Sequence, residues 1–197
     1  MAIEYYGAIY PQDGVSKYLK VSLTNSSYSV TGYISQGAAM NIAQSWEAPF
    51  SGMNMGSISG VIGNAGQVAT GLTSVARWNS IMVWEGGTPP TITLPLTFLA
   101  QYNPFIEVSG AIAALSAMIS PQLKDVNQPL KPEGRIPEKV ILNIGRRINL
   151  VDIIIQDLSF DLDAPRDSSG LFLRNTVNLQ LSGASVYNSS DFTGSFQ

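Results

Sequence analysis

The chain contains no histidine and no cysteine, and only 13% of its 197 residues are charged. Without cysteine there is no disulfide, no thiol nucleophile and no zinc finger. Without histidine, the side chain that most often moves protons near neutral pH is missing. Carboxylates, lysine, tyrosine and serine are left, and no reaction follows from them. A structural β-protein is expected, not an enzyme. The charged fraction of 13% is roughly half the usual ~25%. Ser, Thr, Asn, Gln and Gly make up most of the polar surface instead. Two surfaces would account for this: a neutral polar coat on a monomer, or burial against other subunits, where charge is depleted. The second is expected.

Other absences narrow the class further. A net charge of −3 and a pI near 4.8 provide no basic stripe for nucleic acid. Arg146 and Arg147 form the only basic pair and suit a solvated edge. No run reaches the ~18 apolar residues of a membrane helix, so no membrane is expected. Met1–Pro11 lacks the basic head and apolar core of a secretory signal. Asn25-Ser26-Ser27 and Asn188-Ser189-Ser190 fit the glycosylation pattern but read as turns. There is no phosphate-binding glycine loop or dinucleotide fingerprint, and the serines of Gly56-Ser57-Ile58-Ser59-Gly60 have no histidine to activate them.

No cofactor and no metal are expected. Asp161 and Asp163, with Asp157 and Asp167 nearby, are the best carboxylate cluster. In a strand they would share a face about 6–7 Å apart, as calcium or a glycosidase pair would need. A solvated strand face and turn is the expected reading. Trp46, Trp78 and Trp84 suit core or interface anchors, with sugar stacking the alternative.

What is present is alternation, over a chain expected to form one domain, 1–197. Leu19, Val21 and Leu23 alternate with polar residues, Asn25–Ser27 turns, and Tyr28–Ile34 resumes, which predicts a hairpin. Ala38–Trp46 reads as a short helical turn or an irregular approach. Ser51–Ala76 is Gly-rich and is expected to be flexible or ordered by a partner, with a weak helix from Gly66. Arg77–Trp84 reads as a strand, broken by Gly86-Gly87-Thr88-Pro89-Pro90. Ile92, Leu94, Leu96, Phe98 and Ala100 define the clearest strand, with Pro95 predicting an edge or a bulge. Asn103-Pro104 opens a helix over about 104–120, ended by Pro121. Its small residues suit close packing on a sheet.

Lys124–Glu138 is a Pro-rich loop. Strands follow at Lys139–Ile144, Ile148–Leu162 and Leu171–Leu181. In Ile148–Leu162, Val151, Ile153 and Ile155 are expected inward, then Leu158, Phe160 and Leu162. The shift of phase at Gln156-Asp157 predicts a β-bulge. Ser182–Gln197 reads as a polar, partly free tail. The fold class is mainly β (α+β), with mostly antiparallel strands and one principal helix.

Several of these features occur together in an order that has a counterpart. Trp46-Glu47-Ala48-Pro49-Phe50 precedes the Gly/Ser-rich stretch, and a strand ending at Trp84 is followed by the Ile92–Ala100 strand. Asn103-Pro104-Phe105-Ile106-Glu107-Val108 leads into the helix. A long strand, an Asp-rich turn with Ser168-Ser169-Gly170, and a closing strand complete the order. Over roughly residues 40–185 this resembles the tube-fold baseplate proteins of contractile-tailed phages and related injection systems, of the tube-initiator type.

The resemblance implies two packed antiparallel sheets in a tail-tube-like β-sandwich or barrel, with subunits assembled in a six-fold ring. The implied partners are copies of the chain, the tail tube protein, and the baseplate hub and wedge proteins. DNA would pass the lumen without specific binding. The implied location is the virion, after synthesis in the host cytoplasm. Trp46, Phe50, Trp84, Arg146 and Arg147 are the candidate assembly contacts. A carbohydrate-binding β-sandwich is the alternative.

Overall fold

The computed structural model describes residues 2–47, 82–120 and 138–196. The Gly-rich segment Ser51–Ala76 and nearly all of the Pro-rich loop Lys124–Glu138 lie outside the described residues. The chain divides into two compact units, Met1–Ile42 with Pro89–Gln197, and Ala43–Thr88.

The first unit is one sheet, antiparallel but for a short first strand, closed on itself. It starts from the expected hairpin, β2 (Lys20–Thr24) and β3 (Tyr28–Ile34), paired from Lys20↔Tyr33 to Thr24↔Ser29. Asn25 closes the turn through its Oδ1, which accepts the amides of Ser27 and Tyr28 at 3.0 and 2.6 Å. Strands β7 (Thr91–Leu99), β8 (Val140–Ile144), β9 (Ile148–Phe160) and β10 (Arg174–Gly183) complete the barrel in the order β3-β2-β8-β9-β10-β7. It closes where β7 returns to β3, at Tyr33↔Thr97 and Ile34↔Leu96. The architecture is therefore mainly β, a six-strand antiparallel barrel within the sandwich-or-barrel class expected.

Short strands finish the seam. β1 (Glu4–Gly7) runs parallel to β3 along Tyr28–Thr31, and β4 (Ala39–Asn41) pairs with β7 at Thr91–Thr93. The edge of β3 away from β2 is thus shared by β1 and β7. Likewise the edge of β7 away from β10 is shared by β3 and β4. This explains Pro95. There is no bulge, since β10 pairs along the whole strand, but on the other side Pro95 falls between the β3 and β4 ladders, a local edge. The Pro95 carbonyl accepts the Ser35 amide at 3.0 Å. A residue's N–H and C=O point to the same neighbour in an antiparallel ladder. The missing N–H of Pro95 therefore faces Ser35, just past the last paired residue of β3, so the β3–β7 ladder stops there.

Curvature comes from β9. Its partner register skips Gln156, the predicted bulge: Gln180 faces Asp157 and Leu181 faces Ile155. A second bulge lies at Val151-Asp152, where the β8 register steps from Leu142↔Leu150 to Val140↔Ile153. Asp152 adopts the left-handed conformation, φ 58°. The phase flips there, so Leu150 and Ile153 are buried while Val151, expected inward, is exposed. Leu162 lies beyond the strand and is also exposed.

One core fills the barrel. Val21, Leu23, Val30, Leu94, Leu96, Phe98, Leu142, Leu150, Val177 and Leu179 are buried in it, as period-2 alternation predicts. The helix α1 (Gly110–Ile119) adds Ala111, Ile112, Leu115 and Met118 to the same cluster. A turn of π-helix, Phe105–Ser109, precedes it. Asn103 caps this entry as predicted: its Oδ1 accepts the amides of Phe105 and Ile106 at 3.0 and 3.3 Å. Gly110 has a packing role, since a Cβ there would meet the Tyr6 ring at 2.6 Å. The buried Glu107 locks the approach. One carboxylate oxygen accepts the backbone N–H groups of Gln101, Tyr102 and Asn103, each at 2.8 Å.

Two further expectations are corrected. The last strand begins at Arg174, because Leu173 instead hydrogen-bonds outside the ladder, donating to Pro165 and accepting from Ala100. Residues 182–196 are not a loose tail: Ser182 and Gly183 end β10, and α2 (Ser189–Ser195) follows. Asn188 and Asp191 form a reciprocal capping box at its start. Tyr187 packs on the core and Phe196 bridges to Ile148.

The second unit contains a two-stranded antiparallel sheet, β5 (Gln44–Glu47) and β6 (Val83–Gly87). Here 44–46 is a strand, where a helical turn or irregular chain was expected. Gly86 and Gly87 belong to the strand they were expected to break.

Candidate functional site

The β5–β6 pair brings together two of the predicted contact residues. Trp46 lies directly opposite Trp84 in the ladder, so both side chains leave the same face. They are 55% and 51% exposed, and the neighbouring Met82 and Val83 are exposed as well. The register slips between Ser45 and Trp46, leaving Glu85 as the extra residue of a bulge. Beyond it Gln44 faces Gly87. The Trp84 indole N–H donates to Gln44 Oε1 at 2.7 Å. The absence of a Cβ at Gly87 makes room, since one would sit 2.3 Å from that same oxygen. The glycine, the amide and the indole form one unit that fixes Trp84 while its apolar ring remains in solvent.

Arg146 and Arg147 occupy a different place, the turn between β8 and β9 in the barrel unit. Gly145 and Arg146 both have φ 58°, and the Arg147 amide returns to the Ile144 carbonyl at 3.1 Å. This is the left-handed pair of a tight hairpin turn. The Arg147 guanidinium lies over the Tyr18 ring at 5.7 Å. Phe50 lies outside the described residues, as does Trp78.

The carboxylate cluster does not assemble as a strand face. β9 ends at Phe160, so Asp161 and Asp163 sit in the exposed turn that follows. Asp167 serves that turn, accepting the amides of Ser169 and Leu171 at 2.8 and 2.9 Å.

The most developed polar network passed unnoticed in the sequence. Asp13, with its side chain 2% exposed, meets the Lys20 ammonium at 2.5 Å. It accepts the Tyr33 hydroxyl at 2.6 Å and the Val15 amide at 3.0 Å. Burial opposes ionisation of Asp13, but the Lys20 and Tyr33 hydrogen bonds and the Val15 amide together hold its pKa below the ordinary value. Burial, then the hydrogen bond to Asp13, raises the Tyr33 pKa. The ladder partners Lys20 and Tyr33 were visible once the hairpin register was known; the loop residue Asp13 was not. Gln44 was equally hidden, since its role depends on Gly87 across the ladder. No protein-family model and no curated protein matches the chain.

Proposed function

We propose that the chain is a ring-forming structural subunit of a contractile phage tail, of the tube-initiator kind, joining the baseplate hub to the tail tube. The observation that carries this is the β5–β6 pair, which no third strand joins among the described residues. An isolated two-stranded hairpin is marginal in water. This one displays Trp46, Val83 and Trp84 to solvent while the barrel buries its own apolar face. Such a ribbon gains most by joining strands of neighbouring copies, which would bury both the tryptophans and the edges unpaired among the described residues. The low charge of the chain agrees with a surface largely covered in an assembly.

The mechanism is templating. Copies add edge to edge, six to a ring. One ring face meets hub and wedge proteins, and the other presents strands to the tail tube protein. The net negative charge lets DNA pass the lumen without being held. The virion is the place of action.

The test is the native mass of the purified chain by light scattering, with negative-stain images of the same sample. Six-fold rings or longer stacks that dissociate in a Trp46→Ala/Trp84→Ala variant are expected. A monomer that joins neither hub nor tube proteins would refute the reading. The same exposed tryptophans also suit the face of a sugar ring, the second reading. Glycan-array binding lost in Trp84→Ala would favour that reading over the ring.

A further inference from the structure

We propose that a cleft on the outside of the barrel binds a small anion that also carries hydroxyls, the chemistry of a phosphorylated or carboxylated sugar. The cleft lies between the N-terminal segment and the outer face of the β2–β3 hairpin. It encloses about 660 Å³, within the range of ~300–1,000 Å³ usual for small-molecule sites.

Its floor follows from strand alternation. Val21, Leu23 and Val30 point into the core, so Ser22 and Thr31, paired in register, point out. Asn143 lies beside Ser22 on the next strand. Ile9 and Val15 line one wall, an apolar surface suited to the C–H face of a sugar ring.

The charge pattern gives the ligand its sign. Lys17, Lys20 and Arg146 all line the cleft, and among the described residues no carboxylate does. Seven Lys and Arg fall among the described residues, so three of the seven converge here in a chain of net charge −3. Lys20 is already paired with the buried Asp13 in the ion pair described above. That pairing neutralises one cation and leaves two.

A second observation concerns hydrogen bonding. The hydroxyls of Ser22 and Thr31 and the guanidinium of Arg146 have no side-chain partner among the described residues. Ser22 and Thr31 are half-buried and Arg146 is exposed; polar groups withdrawn from water normally find a partner. Here three stand around one hollow, with donor and acceptor capacity open to a polyol. Arg146 is also held in a left-handed conformation that side-chain-bearing residues seldom adopt. A Cβ on Gly145 would come within 2.5 Å of the Tyr18 carbonyl, so the turn is pressed against the chain beside Lys17. Lys17, its ammonium 5.2 Å from the centroid of the Tyr18 ring, and Arg146 thereby share one rim.

This inference does not depend on the ring reading. It is tested on the full chain by saturation-transfer NMR observed on the ligand, which works for a monomer or a large ring. The probes are glucose 6-phosphate, glucuronate, inorganic phosphate and glucose. Transfer to at least one anionic sugar is expected, with Kd of about 1 mM or tighter. For glucose 6-phosphate, competition by inorganic phosphate and by added salt is expected. The two anionic sugars separate phosphate from carboxylate recognition. In Lys17→Gln/Arg146→Asn, where Asn tolerates the left-handed turn, binding should weaken by about tenfold or more. No transfer to either anionic sugar, equal transfer to glucose, or undiminished binding by the folded double variant would overturn the proposal.

Discussion

Glu107 offers the sharpest test of how this fold is held. The residue is 3% exposed, and one carboxylate oxygen accepts three backbone N–H groups at 2.8 Å each. Those amides belong to the turn that carries β7 into the π-turn and α1. Replacing Glu107 by Gln keeps the shape and removes the charge. Each charge-assisted bond, worth ~1.5–3 kcal/mol, becomes a neutral one worth ~0.5–1.5. Relief of the carboxylate's desolvation returns part of the difference, so the net loss should be about 2–3 kcal/mol. Glu107→Ala leaves three donors without an acceptor, at ~1–3 kcal/mol each, and should cost about 4–6 kcal/mol. Urea unfolding at pH 7 measures both. Lower midpoints with an unchanged slope are expected, together with a Tm drop of roughly 4–12 °C for the Gln variant. If Glu107→Gln falls within about 0.5 kcal/mol of the parent, or Glu107→Ala proves the milder change, the three-donor clamp does not hold this turn.

Other residues give further tests. Gly7 has φ 87°, and a Cβ there would lie 2.0 Å from the Thr31 carbonyl oxygen, so Gly7→Ala should cost roughly 3 kcal/mol or more and reduce soluble yield. Arg146→Asn should raise stability by about 0.5–1 kcal/mol in thermal unfolding, by easing the left-handed strain, while weakening anion binding. The lowered pKa of Asp13 stabilises the fold fully above its ordinary 3.8, and that contribution is lost as the pH falls through the lower folded value. The raised pKa of Tyr33 stabilises below its ordinary 10, and that contribution is lost as the pH rises through the higher folded value. Tyrosine absorbance titration should therefore show a late-ionising component, smaller in Tyr33→Phe, and acid unfolding should shift toward neutral pH in Lys20→Met.

Features encoded within a few residues were legible in the sequence. The β2–β3 hairpin needed only alternation and Asn25. The Asn103 cap needed two adjacent residues, and the Gln156 bulge showed as a break in phase. What escaped depended on remote partners. β1 and β4 are three or four residues long and exist because β3 and β7 each leave part of an edge open. Closure of the barrel likewise depends on two residue pairs between strands far apart in the chain. The Asp152 bulge was hidden because Val151, Ile153 and Ile155 alternate perfectly on paper. Asn188-Ser189-Ser190-Asp191 was a readable capping signal, masked by its polar surroundings. For the proposed interface, Trp46 and Trp84 stood out individually, but only the ladder sets them face to face.

The barrel's wiring also sets a timetable for synthesis. Leu23 of β2 pairs with Leu142 of β8, roughly 120 residues later on the chain. At ~5–20 residues per second, the β2 edge waits on the order of ten seconds at the ribosome before its partner exists. Contacts of this span also make folding slow. Throughout that interval the nascent hairpin offers an unpaired flank to whatever emerges nearby, including sister chains on the same message. Crowding of ribosomes and the pace of translation between residues 25 and 140 therefore bear directly on how much of the chain reaches the closed barrel.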